Sequence, residues 1–218
     1  MVLPPPSDLL WPNIVIFDCD GVLFNSRESN RAFYNSLLAH FGKPPLSEEA
    51  LNYVHMHTVF EAEDFLFPET EERQRAQAYR QALDPEPFIR LMREEPGLRE
   101  FLAFLRPAVK TAISTNRTTT IGRVLALHDL SRCFDLVVSA LDVLHPKPHP
   151  ESLHKIIDHF QTQPKDAVYI GDSIVDAEAA CRAGIPLIAY KNPLLKAELH
   201  VNSFQDLQNW LKTQGRAS

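Results

Sequence analysis

Ile14-Val15-Ile16-Phe17-Asp18-Cys19-Asp20-Gly21-Val22 is the stretch whose reading decides the fold. Four apolar β-formers run straight into two carboxylates, the pattern of a buried strand that delivers acids to its C-terminal edge, where open α/β sheets bind their ligands. In the loop after Phe17 the carboxylates of Asp18 and Asp20 can reach one cavity, and Gly21 lets the backbone turn there without a Cβ in the way. One acid can attack while the other carries a proton. Two adjacent negative charges are costly in a dry site, so a divalent cation with a preference for oxygen, Mg²⁺, is the expected partner. Taken alone, the motif also fits a pair of acids on a surface loop. Cys19 lies between them, but on an extended segment its side chain points away from theirs, which makes it a packing residue.

Working outward, the chain changes character twice. Asn25 with Glu28 forms a capping-box-like start for a helix carrying Phe33, Leu37, Leu38 and Phe41 at helical spacing, closed by Gly42. From about Pro44 to Glu95 the pattern is of short helices with no strand-like run; Ser47, Thr58 with Glu61, and Asp84 before Pro85 are expected caps. The charges between Glu69 and Arg80 read mostly as a solvated helix face. Pro96-Gly97 marks the return, and Leu98, Phe101, Leu102 and Leu105 form an apolar helical stripe.

Beyond it strand and helix alternate. Strands are expected at Val109–Ser114, Asp135–Ser139, Ala167–Ile170 and Pro186–Tyr190, and helices at Thr118–Leu127, Pro150–Phe160, Ile174–Ala183 and about Phe204–Leu211, the last capped by Ser203. Strands separated by helices pair in parallel through right-handed crossovers, so the expected fold is α/β, a doubly wound parallel sheet, with a small all-helical unit inserted after the first strand. The expected boundaries are 1–24 and 96–218 for the sheet domain and 25–95 for the insertion.

Each expected strand ends in a residue type that phosphoryl transfer uses. Ser114-Thr115-Asn116 offers a hydroxyl and backbone N–H groups to a phosphate. His145-Pro146-Lys147-Pro148-His149-Pro150 stiffens the backbone around a cation that balances phosphate charge. Gly171-Asp172-Ser173 with Asp176 a turn later brings two further carboxylates toward a metal, although Asp176 also suits a helix start on its own account.

These motifs in this order, DxDG, Ser-Thr-Asn, Lys-Pro and GDxxxD, resemble the haloacid dehalogenase superfamily, and particularly its branch of phosphoglycolate phosphatases and β-phosphoglucomutase-like enzymes. The resemblance covers nearly the whole chain, and the helical insertion resembles that branch's cap. It implies a Rossmann-like core, Asp18 as a nucleophile forming an aspartyl-phosphate, and Asp20 as general acid/base that also lends a carbonyl to the metal. It further implies that Thr115 and Asn116 bind the phosphoryl group, that Lys147 neutralises it, and that Asp18, Asp20, Asp172 and Asp176 form the Mg²⁺ site. Val22 and Asn25 stand where Thr and Asp are commoner, which bears on the subfamily and removes no catalytic group.

The activity implied is a Mg²⁺-dependent phosphatase acting on a small phosphorylated metabolite, with a phosphomutase as the alternative and a catalytically silent binding protein as the third reading. Dehalogenation has no use for a protonating Asp20, and phosphonate cleavage needs a cap lysine that Pro44 to Glu95 lacks. In the cap, His55 and His57 are expected to contact the part of the substrate that is not phosphate, with one or both alternatively completing a helix end. Arg31 and the arginines from Arg73 to Arg80 are the next candidates.

Composition narrows the partners. A net charge of −6 and a pI near 5.8, with no cluster of Lys and Arg, argue against nucleic acid and anionic membranes. Met1 to Asp8 has neither a basic start nor an apolar run, so no signal peptide is expected, and Cys19, Cys133 and Cys181 are odd in number and without metal-ligand spacing. A cytoplasmic enzyme with reduced thiols is the expectation, its oligomeric state left open.

Overall fold

In the computed structural model, residues 11–213 are described; the Met1 to Asp8 stretch, with its signal-peptide reading, lies outside them. β1 (Ile14–Phe17) is buried on both faces and sits inside a six-stranded parallel sheet. Its neighbours are β4 (Lys110–Ser114) and β6 (Ala167–Gly171), and the order continues outward through β5 (Leu136–Val138) on one side and β7 (Leu187–Tyr190) and β8 (Leu199–Val201) on the other. Phe17 pairs with both Ile113 and Ile170, so the three central strands end level and put Asp18, Ser114 and Gly171 along one edge. The Asp18 N–H continues the ladder to the Ile170 carbonyl at 2.9 Å.

Alternation along β1 builds two cores. Val15 and Phe17 pack toward α6 (Leu98–Leu105) and α10 (Phe204–Thr213), where Phe101 and Phe204 lie edge-on or tilted to the Phe17 ring. Ile14 and Ile16 face α8 (Glu151–Phe160) and α9 (Ile174–Ala183) through Leu153, Ile156, Ala179 and Ala183. α7 (Ile121–Leu127) joins β4 to β5. Cys19 is fully buried in the first of these cores, as its packing reading requires.

Between β1 and α6 lie α1 (Arg27–His40), α2 (Glu48–Met56), α3 (Val59–Leu66), α4 (Thr70–Ala82) and α5 (Glu86–Ile89). Tyr34, Leu37, Leu51, Val54, Ala62 and Phe67 form a third apolar cluster within them. The Ser47 hydroxyl caps α2, and Thr58 and Glu61 exchange both bonds of a capping box at α3. Asp84 takes the Glu86 N–H at 3.1 Å, one residue ahead of the N-cap Pro85.

Four expectations need correction. Asn25 does not cap α1: it is extended in β2 (Phe24–Asn25), the N-cap is Ser26, and no side-chain cap bond forms. β2 pairs antiparallel with β3 (Arg93–Glu94), so the insertion is not free of strand; two residues are too few to carry a period. β8 was not expected, because Leu199-His200-Val201 is short and its middle residue is exposed. α7 begins at Ile121, three residues after Thr118, which lines a loop beside the strand ends. No helix among the described residues is long and apolar enough to cross a membrane.

Candidate active site

The level ends of β1, β4 and β6 bring the acids and the lysine into one buried cluster. Lys147 Nζ donates to Asp18 Oδ1 at 2.8 Å, to the Tyr169 hydroxyl at 2.8 Å and to Asp176 Oδ1 at 2.7 Å, and Tyr169 itself donates to Asp176 Oδ1 at 2.6 Å. Asp18, Lys147 and Asp176 are all buried. The second oxygen of Asp176 takes the Ser173 N–H at 3.1 Å and the Ser173 hydroxyl, closing the capping box at the start of α9. Both of its oxygens are thus engaged, and Asp176 holds Lys147 against Asp18. Gly171 is required here, because a Cβ would lie 2.4 Å from that of Asp176.

Asp20 is held differently. Arg117 grips its carboxylate with two hydrogen bonds, Nε to Oδ2 at 2.7 Å and Nη2 to Oδ1 at 2.8 Å, and a third guanidinium nitrogen reaches Thr120. A bidentate pair of this kind fixes the plane of the carboxylate as well as its position. The turn directly after it is made by Gly21, with φ at +84°, and a side chain there would strike the Asp172 carboxylate at 2.0 Å.

These contacts set the charge states. Burial pushes the Asp18 carboxyl up to about 7, with Asp176 and Asp20 adding to the rise and Lys147 opposing it. Burial, Asp176 and Asp18 push Asp172 well above the usual carboxylate range. Burial would also raise Asp20, but Arg117 outweighs it and holds the group below its ordinary value; Lys147 does the same for Asp176. Lys147 is raised despite its burial, by Asp176 and Asp18. The cluster thus holds more carboxyl groups than its lysine can keep ionised, and Asp18 and Asp172 are the ones pushed toward the neutral form.

That imbalance is what a hard dication would relieve. Carboxylate oxygens of Asp18, Asp172 and Asp176 lie within 4.8 Å of one another. Among the described residues no side chain or backbone N–H is hydrogen-bonded to the Asp172 carboxylate, so its oxygens, unlike those of Asp176, are uncommitted. An all-oxygen donor set of this charge fits Mg²⁺ in chemistry.

The remaining expected residues divide. The Thr115 hydroxyl faces the cavity and accepts the Arg117 N–H at 3.1 Å, while the Thr115 N–H goes to the Val138 carbonyl. The Ser114 hydroxyl turns to Ser152 at 2.8 Å and away from the cluster. Asn116 is a brace: its amide donates to the carbonyls of Lys147 (3.0 Å) and Met56 (3.1 Å), and its oxygen accepts the Lys147 N–H. It thereby ties the lysine loop to the end of α2.

A cavity of about 570 Å³ opens from the cluster toward the helices of the insertion. His55 and His57 both line it. The Asn30 amide donates to His55 Nδ1 at 2.9 Å, and burial lowers the pKa of this ring against the pull of Asp20. His57 sits at the end of α2, donates Nδ1 to the Tyr53 carbonyl at 2.8 Å and stacks on the Tyr53 ring, so it completes a helix end. Arg31 pairs outward with Glu28 and Glu48, and Arg73 with Asp64. In the expected arginine group only Arg80 lines the cavity, bound to the buried Glu63.

Sequence reasoning missed Arg117, Tyr169 and Asn30. Arg117 directly follows Thr115-Asn116, and Tyr169 is the lone polar tip in the apolar run of β6; both were visible as residues, without any sign of their partners.

The acids and the buried lysine thus lie at the C-terminal edge of a parallel α/β sheet, beneath a cavity walled by inserted helices, where such sheets bind their ligands. The family description "Haloacid dehalogenase-like hydrolase" matches residues 15–190, and the chain belongs to this family. It is 30% identical over 196 residues to a phosphoglycolate phosphatase of Xylella fastidiosa (strain 9a5c), covering 85% of this chain and 83% of that one. It is 29% identical over 177 residues to the pyrophosphatase PpaX of Bacillus thuringiensis (strain Al Hakam), covering 79% of this chain and 80% of that one. Among solved structures, a HAD-superfamily hydrolase, subfamily IA, variant 1, from Geobacter sulfurreducens PCA superposes with a TM-score of 0.76 at 37% identity, covering 94% of this chain and 99% of that one. The enzyme is thus a hydrolase whose named relatives are phosphatases.

Proposed function

We propose that this chain is a Mg²⁺-dependent phosphatase of small phosphomonoesters that works through an aspartyl-phosphate on Asp18. The observation that carries the reading is the buried contact of Asp18 with Lys147, beside the uncommitted Asp172 and within reach of an independently clamped Asp20. Asp18 attacks phosphorus, forming a bond from its carboxylate oxygen as the bond to the alkoxide breaks; Asp20, once released from Arg117 and protonated from solvent, gives that alkoxide a proton. Asp20 then takes a proton from water, which attacks the acyl phosphate and returns Asp18 free with inorganic phosphate. Lys147 and the Thr115 hydroxyl hold phosphoryl oxygens, while Asn116 and Asp176 position Lys147.

Asp18 and Asp172 would hold Mg²⁺, with the Asp20 carbonyl as a third donor, since the Asp20 carboxylate is committed to Arg117. The ion supplies charge neutralisation at the phosphoryl group and brings Asp18 to its ionised form. Residues 25–95 act as the cap, joined to the rest of the chain beside the β2–β3 ribbon. Hydrolysis is favoured over mutase chemistry because every cation lining the cavity already has an anionic partner, leaving none for a second phosphate.

The test is phosphate release from a panel of phosphomonoesters in Mg²⁺ and in excess EDTA, with quenched samples examined for a hydroxylamine-sensitive phosphoryl label on the protein. Label absent from Asp18→Asn and present in the parent is the expected result. Full turnover in EDTA would overturn the metal assignment.

A further inference from the structure

The cavity is larger and more apolar than the leaving groups in the relatives' names require. At about 570 Å³ it has the size of sites that enclose drug-sized ligands, whereas glycolate adds two carbons to a phosphate. Away from the strand ends its wall is made by Phe33, Val54, Phe60, Leu83, Phe88 and Ile89. Phe33 and Phe88 meet edge to face at 5.4 Å and 80°, and both line the cavity. Phe60 is 44% exposed on α3 at this lip; the Arg80 guanidinium lies 5.7 Å from its ring centroid on one side, and the ring lines the cavity.

The charges point the same way. The cations lining the cavity are Lys147, Arg117 and Arg80, and these are neutralised by Asp18 and Asp176, by Asp20, and by Glu63. Asp172, whose carboxyl burial holds toward its neutral form, supplies no cation either. A carboxylate or a second phosphate on the leaving group would therefore meet no unpaired cation. Among the polar groups lining the cavity is His55, whose Nδ1 accepts from the Asn30 amide; in the neutral ring this leaves Nε2–H as a donor, suited to an uncharged hydroxyl or carbonyl oxygen.

Resting on the phosphatase reading, we propose that the substrate is a phosphomonoester of an uncharged alcohol bearing a largely apolar ring, and that phosphoglycolate and pyrophosphate are poor substrates for this enzyme. The ring lies against Phe33, Phe60 and Phe88, and His55 donates to an oxygen of the ring substituents. Burying such a ring against the wall is expected to favour its ester by about tenfold or more over one with a charged tail.

The test compares kcat/KM in Mg²⁺ for benzyl phosphate, ethyl phosphate, phosphoglycolate and pyrophosphate; benzyl phosphate is chosen because its alcohol is as poor a leaving group as an alkyl one. Benzyl phosphate is expected to exceed phosphoglycolate and pyrophosphate by about tenfold. In Phe60→Ser and Phe88→Ser the ratio of benzyl to ethyl phosphate should fall about fivefold. Phosphoglycolate or pyrophosphate equal to or better than benzyl phosphate would overturn the inference and leave the phosphatase reading intact. If none of the four is hydrolysed, the phosphatase reading fails, and calorimetry on Asp18→Asn in Mg²⁺ decides the cavity alone. Benzylphosphonate binding tighter than phosphonoacetate supports the inference; equal binding, or the reverse order, overturns it.

Discussion

At the sheet edge Asp18, Lys147, Tyr169 and Asp176 are buried and share hydrogen bonds of 2.6 to 2.8 Å, whereas across the cavity Phe33, Phe60 and Phe88 present partly exposed rings beside His55 and His57. In the first region all three Lys147 N–H donors and both Asp176 oxygens are committed, so removing either residue leaves a buried charge without its partner. The second has few directional contacts, so it can change shape and composition with little effect on the fold. Reactivity is thereby fixed by the rigid element and selection is left to the tolerant one.

The comparison breaks first on rate. Asp18→Asn should lower phosphate release by about 10⁴-fold or more, since the amide fills the site without attacking phosphorus, while His55→Ala should cost about tenfold in kcat/KM. Steady-state assays on both variants, with circular dichroism as a check on folding, decide it; losses of equal size would erase the distinction between the two regions. The second consequence is for stability. Lys147→Ala leaves Asp18 and Asp176 buried without their cation and should destabilise the metal-free protein by about 3 kcal/mol in urea unfolding at neutral pH. The raised pKa of Lys147 means that its contribution is fully present there.

Arg117→Gln sharpens the same division within the sheet edge. Freed from its clamp, Asp20 should lose about 10- to 100-fold in kcat. Because a positive neighbour has been removed, the limb of the pH–rate profile governed by Asp20 should move to higher pH. An unchanged profile would mean that Arg117 braces the loop and does not tune the acid.

The smallest effect is in the pH dependence of stability without metal. Asp18, raised to about 7, and Asp172, raised well above its ordinary value, bind protons more tightly folded than unfolded. Their contribution is therefore complete below the unfolded carboxylate pKa; that of Asp18 is lost as pH rises through about 7, and that of Asp172 as pH rises through its own raised value. Asp20 and Asp176, both lowered, act in the opposite sense and lose their contribution as pH falls through their folded values. In EDTA the melting temperature should fall from pH 5 to pH 8, Asp172→Asn should make that fall shallower, and Mg²⁺ should restore the parent but not the variant. A parent more stable at pH 8 than at pH 5 in EDTA would contradict this charge assignment.

Particular residues show how far the sequence could be read. The run into Asp18, the strand-helix alternation after Pro96, the caps at Ser47 and Thr58, and the polar ends of β4 and β6 were all legible, because each is a local pattern of periodicity or capping. The lysine between prolines was legible as a fixed cation, but not the fact that Asp176 and Tyr169 hold it. The two-residue β2 and β3 and the three-residue β8 lie below the length at which a period can be recognised.

What the sequence determined by itself was the order of elements and the kind of side chain at each strand end, since hydrogen-bonding and burial periods are short-range. What only the tertiary structure decided was which of those side chains meet. Asp20 and Arg117 are 97 residues apart, and Asp18 and Lys147 are 129 apart. Those distances close because β1 lies in register between β4 and β6, and the aromatic wall exists because α1, α3 and α5 converge above them. Such convergence depends on how separate elements pack, and no local pattern in the chain encodes it.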